Sequence, residues 1–187
     1  RQPVRDRELV RVDDASTYAS VRALLARAAA RDERIMVIER TANGGIVASS
    51  NDAVRAARGQ FLVLLDHDDL LVPHALERVH AALVESPEAD YVYSDEDKID
   101  AEGELYGEFR KPDWSPERLR GQQYTCHLPV PRASLVRELG GFGAGHEGAQ
   151  ATDLDHRGSR TERCGGQGTG GGDDGGGGVA AEGIGAI

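Results

Sequence analysis

Of its 187 residues the chain has only two cysteines, Cys126 and Cys164, with one tryptophan and one methionine. Two cysteines build no disulfide framework, and this pair lacks metal-ligand spacing, so a reducing cytoplasm is the default compartment. Positive charge is also short. Against 32 Asp+Glu stand 22 Lys+Arg, leaving a formal charge of −10. Nucleic-acid binding, which needs a basic patch to release phosphate counterions, is therefore set aside. No run of about 18 apolar residues occurs, so the sequence offers no membrane span. The basic opening from Arg1 to Arg7 is followed by no apolar stretch, unlike a secretory signal.

Glycine is sparse and then abundant: 11 of the 24 fall in residues 1–150 and 13 in the last 37. Ten of the fourteen residues from Gly165 to Gly178 are glycine. Such a stretch buries little apolar surface and loses much backbone entropy on ordering. We therefore expect one domain over residues 1–150, folded from about residue 8, and a disordered low-complexity tail over 151–187. A phosphate loop is excluded there, since no strand leads into the glycines and no Lys-Ser/Thr follows.

Between residues 8 and 100, strand and helix patterns alternate. Glu8 to Val12 reads as a strand, then Ser16 or Thr17 as the cap of a helix with Val21, Leu24, Leu25, Ala28 and Ala29 on one stripe. Ile35 to Ile38 reads as a second strand. Asn43-Gly44-Gly45 then turns into a helix from Ile46 to Arg58. Phe61 to Leu65 is the most apolar strand, and its double-sided apolarity places it inside a covered parallel sheet. Pro73 suits the first turn of a helix carrying Leu76, Val79 and Leu83, and Asp90 to Ser94 resumes the sheet. The alternation defines an α/β fold, a mostly parallel sheet flanked by helices.

Three strand ends carry acids: Asp13-Asp14, Asp66-His67-Asp68-Asp69 and Asp95-Glu96-Asp97. In open α/β sheets ligands bind beyond the carboxyl ends of strands, so these clusters are expected to share one rim. If the chain leaves its strand extended, Asp66 and Asp68 project to the same side. Carboxylates about 6 Å apart repel by roughly 2–3 kcal/mol at an effective dielectric near 20, and a divalent cation reverses that cost. Oxygen ligands favour Mg²⁺ or Mn²⁺. His67 reads as a packing residue. The combination suggests a diphosphate substrate delivered with its metal. Asn43-Gly44-Gly45 is read first as a turn, and secondly as a source of N–H groups for phosphate.

The ordered set of these motifs resembles the family-2 glycosyltransferases of the GT-A fold. It comprises Val12-Asp13-Asp14-Ala15-Ser16-Thr17, Asn43-Gly44-Gly45 with Asn51, Leu64 to Asp69, Tyr93 to Lys98, Lys111-Pro112-Asp113-Trp114-Ser115-Pro116, and Gly140-Gly141-Phe142 running to Glu147-Gly148-Ala149-Gln150. The resemblance implies inverting transfer of a sugar from a nucleotide-diphosphate sugar to a hydroxyl of a glycan or lipid-linked acceptor, in cell-surface polysaccharide biosynthesis. It also implies that Asp13, Asp14, Asn43, Gly44, Gly45, Asn51, Asp66 and Asp68 bind the donor, that Asp66 and Asp68 hold Mg²⁺ or Mn²⁺, and that Asp95 and Trp114 line the acceptor side. For Trp114, core filling is an equal reading. His127 and Arg132 are read as structural.

Two departures from the family pattern stand out. The family's opening apolar strand has no counterpart before Glu8, so one central strand is expected to be absent. The family's candidate general base falls on Ala151, which leaves Asp153, two residues on, as the substitute. The glycine-rich continuation fits a reading frame lost near Ala151. Two alternatives follow: a nucleotide-sugar-binding domain without catalysis, and a phosphoacceptor receiver domain with Asp66 as acceptor. A receiver needs a proline four residues after its acceptor, and Pro73 is seven after Asp66.

Overall fold

The computed structural model describes residues 4–66, 68–145, 150–158 and two strand segments, 167–168 and 182–186. His67 and residues 146–149 lie outside the described residues, as does most of the glycine-rich run. Expectations resting on them are left where they stood.

Strand β1 (Glu8–Asp13) leads into helix α1 (Ala19–Arg31), and β2 (Ile35–Glu39) into α2 (Gly45–Ala56). Strand β3 (Leu62–Asp66) follows, then α3 (Ala75–Glu85) and β4 (Tyr91–Tyr93). A hairpin of β5 (Glu96–Ile99) and β6 (Leu105–Phe109) precedes the short α4 (Pro116–Leu119). Beyond it lie β7 (Val130–Pro131), α5 (Ala133–Glu138), α6 (Gln150–Gly158), β8 (Gln167–Gly168) and β9 (Glu182–Ala186).

The sheet is more mixed than the sequence reading had it. Strands β1 and β2 pair in parallel. On the other side of β1, β9 runs antiparallel to both β1 and β3, so β1 and β3 point the same way. The lane between β1 and β3 is thus held by residues from the stretch expected to be a tail. Helix α6 also falls in that stretch. Across the other edge of β3, Leu64 N donates to Pro129 O at 3.1 Å and Phe61 bridges Arg132 antiparallel. Strand β7 then pairs antiparallel with β4, which carries β8 in parallel on its far side. All four strands read from the sequence share one direction, with antiparallel strands interleaved.

Strand β3 is covered on both faces, as its apolarity requires. Leu62 joins Val10, Val47, Val54, Val136 and Phe142 on the side of α2 and α5. Phe61 and Val63 join Leu76, Val79, Val92 and Val130 on the side of α3. Each fully buried aliphatic side chain contributes about 1.5–3 kcal/mol. Helix α1 departs from expectation. Tyr18, not Ser16 or Thr17, is its N-cap residue and supplies no side-chain cap, while Ser16 N donates to Asp13. Only Leu25 of the expected stripe is buried, while Val21 and Leu24 are 36% and 59% exposed.

One turn is fixed by a side chain from far away. Asn51 of α2 accepts from Phe142 N at 2.8 Å and donates to Phe142 O at 3.0 Å. Gly141, with φ +78°, sits so close that a Cβ there would lie 2.3 Å from Asn51 Oδ1. Both the dihedral and the clearance require glycine.

A buried polar group ties α6 to the segment between α4 and β7. Asp155, 2% exposed, accepts from Gln123 Nε2 at 2.7 Å and from the Thr125 hydroxyl. Burial pushes its pKa above the ordinary 3.8, against those donations. The nearby Tyr91 phenol is pushed well above 10, by burial first and the Asp155 carboxylate second.

For an acid whose folded pKa is raised, stability is complete below the unfolded value and falls as pH rises through the folded one. Asp155→Asn removes that dependence. The melting temperature of the variant should therefore gain on the wild type between pH 4 and pH 8, by about 2–4 °C per kcal/mol of relief. Parallel thermal melts that stay a constant distance apart across this range would refute the assignment.

Candidate functional site

The shared direction of β1 and β3 puts their carboxyl ends on one rim. Val10 and Leu64 both register with Ile184, so Asp66 lies level with Val12, one residue short of Asp13. Two strand spacings separate them, roughly 10 Å.

At the β1 end the acids are held by neighbours. Asp13 is 3% exposed; its Oδ1 accepts from Ser16 N at 3.0 Å and its Oδ2 is 3.4 Å from Arg22 Nε. Its pKa is lowered, by the Ser16 hydrogen bond first and the Arg22 charge after it. Asp14 reaches across to the start of α2, where it accepts from Gly44 N at 2.9 Å and Gly45 N at 2.8 Å. Arg40 Nε lies 2.8 Å from the same carboxylate and also pairs with Asp52. The Asn43-Gly44-Gly45 turn therefore directs its N–H groups at Asp14. This matches the plain-turn reading, and these donors are not left open toward phosphate. Asn51, expected at the nucleotide, has both ends of its amide on Phe142.

The β3 end differs from the expected Asp66–Asp68 pair. Ligand atoms of Asp66, Asp69 and His127 lie within 4.8 Å of one another, and Asp68 is not in that group. Asp68 itself lies in a turn. A turn returns residue i+3, not i+2, toward residue i. Asp68 is exposed beside the group. His127 arrives from the segment leading into β7, with Nδ1 2.9 Å from Asp69 Oδ2. The structural reading of His127 thus gives way to a candidate ligand role. The Asp69 carboxyl is pushed up to about 6 by burial, opposed by His127 and reinforced by Asp66, Asp68 and Glu96.

The donor set fits a divalent cation. Asp69 Oδ2 is sealed from solvent, with His127 Nδ1 2.9 Å away. A buried carboxylate oxygen beside a second carboxylate and an imidazole is a ligand arrangement suited to Mg²⁺ or Mn²⁺, and the nitrogen tilts it toward the transition metal.

Of the two residues expected on the acceptor side, Asp95 accepts through Oδ1 from Lys111 N at 2.7 Å. Trp114 packs 6.3 Å from Tyr91 at 37°, against the buried cluster of Tyr93, Leu119 and Tyr124. Its indole N–H is sealed and has no hydrogen-bond partner among the described residues. Core filling accounts for the ring, though not for the N–H. Asp153, the substitute base, pairs with Arg157 at 2.7 Å and accepts from Gly143 N at 3.3 Å. Arg157 in turn donates to the carbonyls of Leu139 and Gly141, both at 2.6 Å. Asp153 is thereby built into the anchoring of the turn beside Phe142. Arg132 is structural, as read: it donates to Asp90 at 2.6 Å and its guanidinium lies 4.5 Å from the Phe61 ring centre.

Comparisons with known proteins agree with this frame. The sequence model of glycosyl transferase family 2 matches residues 1–138. The chain belongs to that family, and the receiver alternative falls with the match. An uncharacterized Sinorhizobium fredii protein, y4gI, is 46% identical over 147 residues, covering 79% of this chain and 16% of the relative. The O-antigen biosynthesis protein RfbC of Myxococcus xanthus is 40% identical over 149 residues, covering 80% and 12%. The chain thus spans a small fraction of these relatives' lengths. Among solved structures, S. aureus TarS 1–349 in complex with UDP aligns with a TM-score of 0.71 at 19% identity, over 93% of this chain and 51% of that one. The mannosyltransferase PcManGT of Pyrobaculum calidifontis, in complex with GDP-Man and Mn²⁺, aligns at 0.60 and 21% identity, over 86% and 44%. The fold is GT-A. No helix among the described residues is long and apolar enough to cross a membrane.

Asp14→Ala strips the start of α2 of its acceptor and leaves Arg40 with one carboxylate fewer. Unfolding in urea should show a loss of about 1–3 kcal/mol, and Asp14→Asn a smaller one. Equal stability of both variants and the wild type would show that this cross-loop cap carries no energy.

Proposed function

We propose that this domain binds a nucleotide-diphosphate sugar with a divalent cation, Mg²⁺ or Mn²⁺, and transfers the sugar with inversion to a hydroxyl of a glycan or lipid-linked acceptor. The observation that carries the reading is the grouping of Asp66, Asp69 and His127 at the carboxyl rim of a family-2 domain. These three residues would hold the cation, with Asp68 beside them. A bound cation would offset the negative charge developing on the leaving diphosphate. The rim at Asp13 and Asp14 is the place for base and ribose, about two strand spacings away. The complexes of TarS with UDP and of PcManGT with GDP-Man and Mn²⁺ support a donor of this class for this chain. With the two cysteines supplying no disulfide framework, the cytoplasm is the compartment we propose.

Inverting transfer needs a base within about 3 Å of the acceptor hydroxyl. A second reading, donor binding without transfer, is favoured by one observation: Asp153 is committed to Arg157 and Gly143, and Ala151 has no carboxylate. Turnover of UDP-, GDP- or dTDP-sugars in the presence of an acceptor separates the two.

Calorimetric titration with UDP and GDP, with and without Mn²⁺, tests the site itself. Affinity should rise with Mn²⁺ in the wild type and drop about tenfold or more in Asp69→Ala, with a smaller drop in Asp68→Ala. Metal-independent binding that is unchanged in Asp66→Ala and Asp69→Ala would overturn the assignment.

A further inference from the structure

Behind the His127 imidazole, which faces the acids of β3, the backbone carbonyls are held by Lys111. Its side chain is 1% exposed, deeper than is usual for a lysine. The ammonium donates to Cys126 O at 2.9 Å and to His127 O, and pairs with Glu96 Oε2 at 2.8 Å. Its own backbone N–H is fixed by Asp95 Oδ1 at 2.7 Å. One residue on, Leu128 N donates to Ser94 Oγ at 3.2 Å. A buried charge with two carbonyls and a carboxylate around it replaces most of its lost hydration, and it holds those acceptors in turn. The carbonyls belong to the residue that faces Asp69 and to the one before it.

We propose that Lys111 is a positioning residue for the cation site: with Glu96 and Asp95 it clamps the Cys126–His127 backbone and so sets the His127 ring against Asp66 and Asp69. This rests on the reading of Asp66, Asp69 and His127 as ligands. Groups that orient metal ligands without touching the metal typically change affinity 10–100-fold when removed. The acids of the 95–97 cluster, expected from the sequence at the ligand itself, here act one layer back. Asp95 and Glu96 hold the lysine.

The test compares Mn²⁺ affinity, melting temperature and metal-free UDP affinity in the full chain for the wild type, His127→Ala, Lys111→Met and the double variant Lys111→Met/Glu96→Gln. The double variant removes both partners of the ion pair, so that neither charge is left buried alone. We expect Mn²⁺ to bind about tenfold or more weakly in both Lys111 variants, close to the loss in His127→Ala. Metal-free UDP affinity should stay within twofold. Mn²⁺ should broaden the His127 ring proton signals in the wild type and no longer do so in the folded Lys111 variants. Wild-type Mn²⁺ affinity in a folded Lys111 variant, with affinity lost in His127→Ala, would overturn the positioning role while leaving the site intact. Failure of both Lys111 variants to fold would make Lys111 a determinant of the fold and overturn the role equally. Unchanged Mn²⁺ affinity in His127→Ala would instead overturn the ligand reading beneath it.

Discussion

Carboxylates gathered along one edge of a sheet repel each other, and the rim of this domain is arranged around that repulsion. Several of the acids at this edge are met by a cation or an N–H. Asp13 is met by Ser16 and Arg22, Asp14 by Arg40 and the start of α2, and Glu96 by Lys111. Asp69 is the exception in kind. Its neighbour is the His127 imidazole, and burial pushes its own carboxyl up to about 6. The compensation is thus least complete where Asp66 and Asp69 converge. A region of uncancelled negative charge at the end of a buried strand is where an added cation gains most.

Much of the frame was legible in the sequence because it is local. The run from Phe61 to Leu65 is apolar on both sides and is buried on both sides, and the helix after Pro73 buries Leu76 and Val79 as its spacing requires. The acidic strand ends fall on one rim because strand direction follows from the alternation of strands and helices. Membership in family 2 was likewise carried by short motifs in order.

What the sequence hid is set by pairing at long range or by the shape of a single turn. The expectation for Asp66 and Asp68 assumed an extended exit from β3, and it is Asp69, not Asp68, that joins Asp66. His127 could not be placed, because nothing local announces that the segment before β7 runs beside β3 in the opposite direction. Asn51 fits the family pattern at its position, yet its amide meets Phe142, ninety-one residues later. The lane beside β1 follows the same logic: Glu182–Ala186 is two-fifths glycine and carries no strong strand pattern, yet its backbone pairs on both sides.

The approach of His127 to Asp69 also closes a long loop of chain. Helix α3, strand β4, the β5–β6 hairpin and α4 all lie inside it. Closing such a loop costs entropy that grows only slowly with its length, so substitutions in the hairpin, with its exposed Leu105 and Tyr106, are tolerated as far as closure is concerned. Stiffness matters more than length here. The hairpin meets the backbone of His127 through Glu96 and Lys111, so its first strand is tied to the rim from behind.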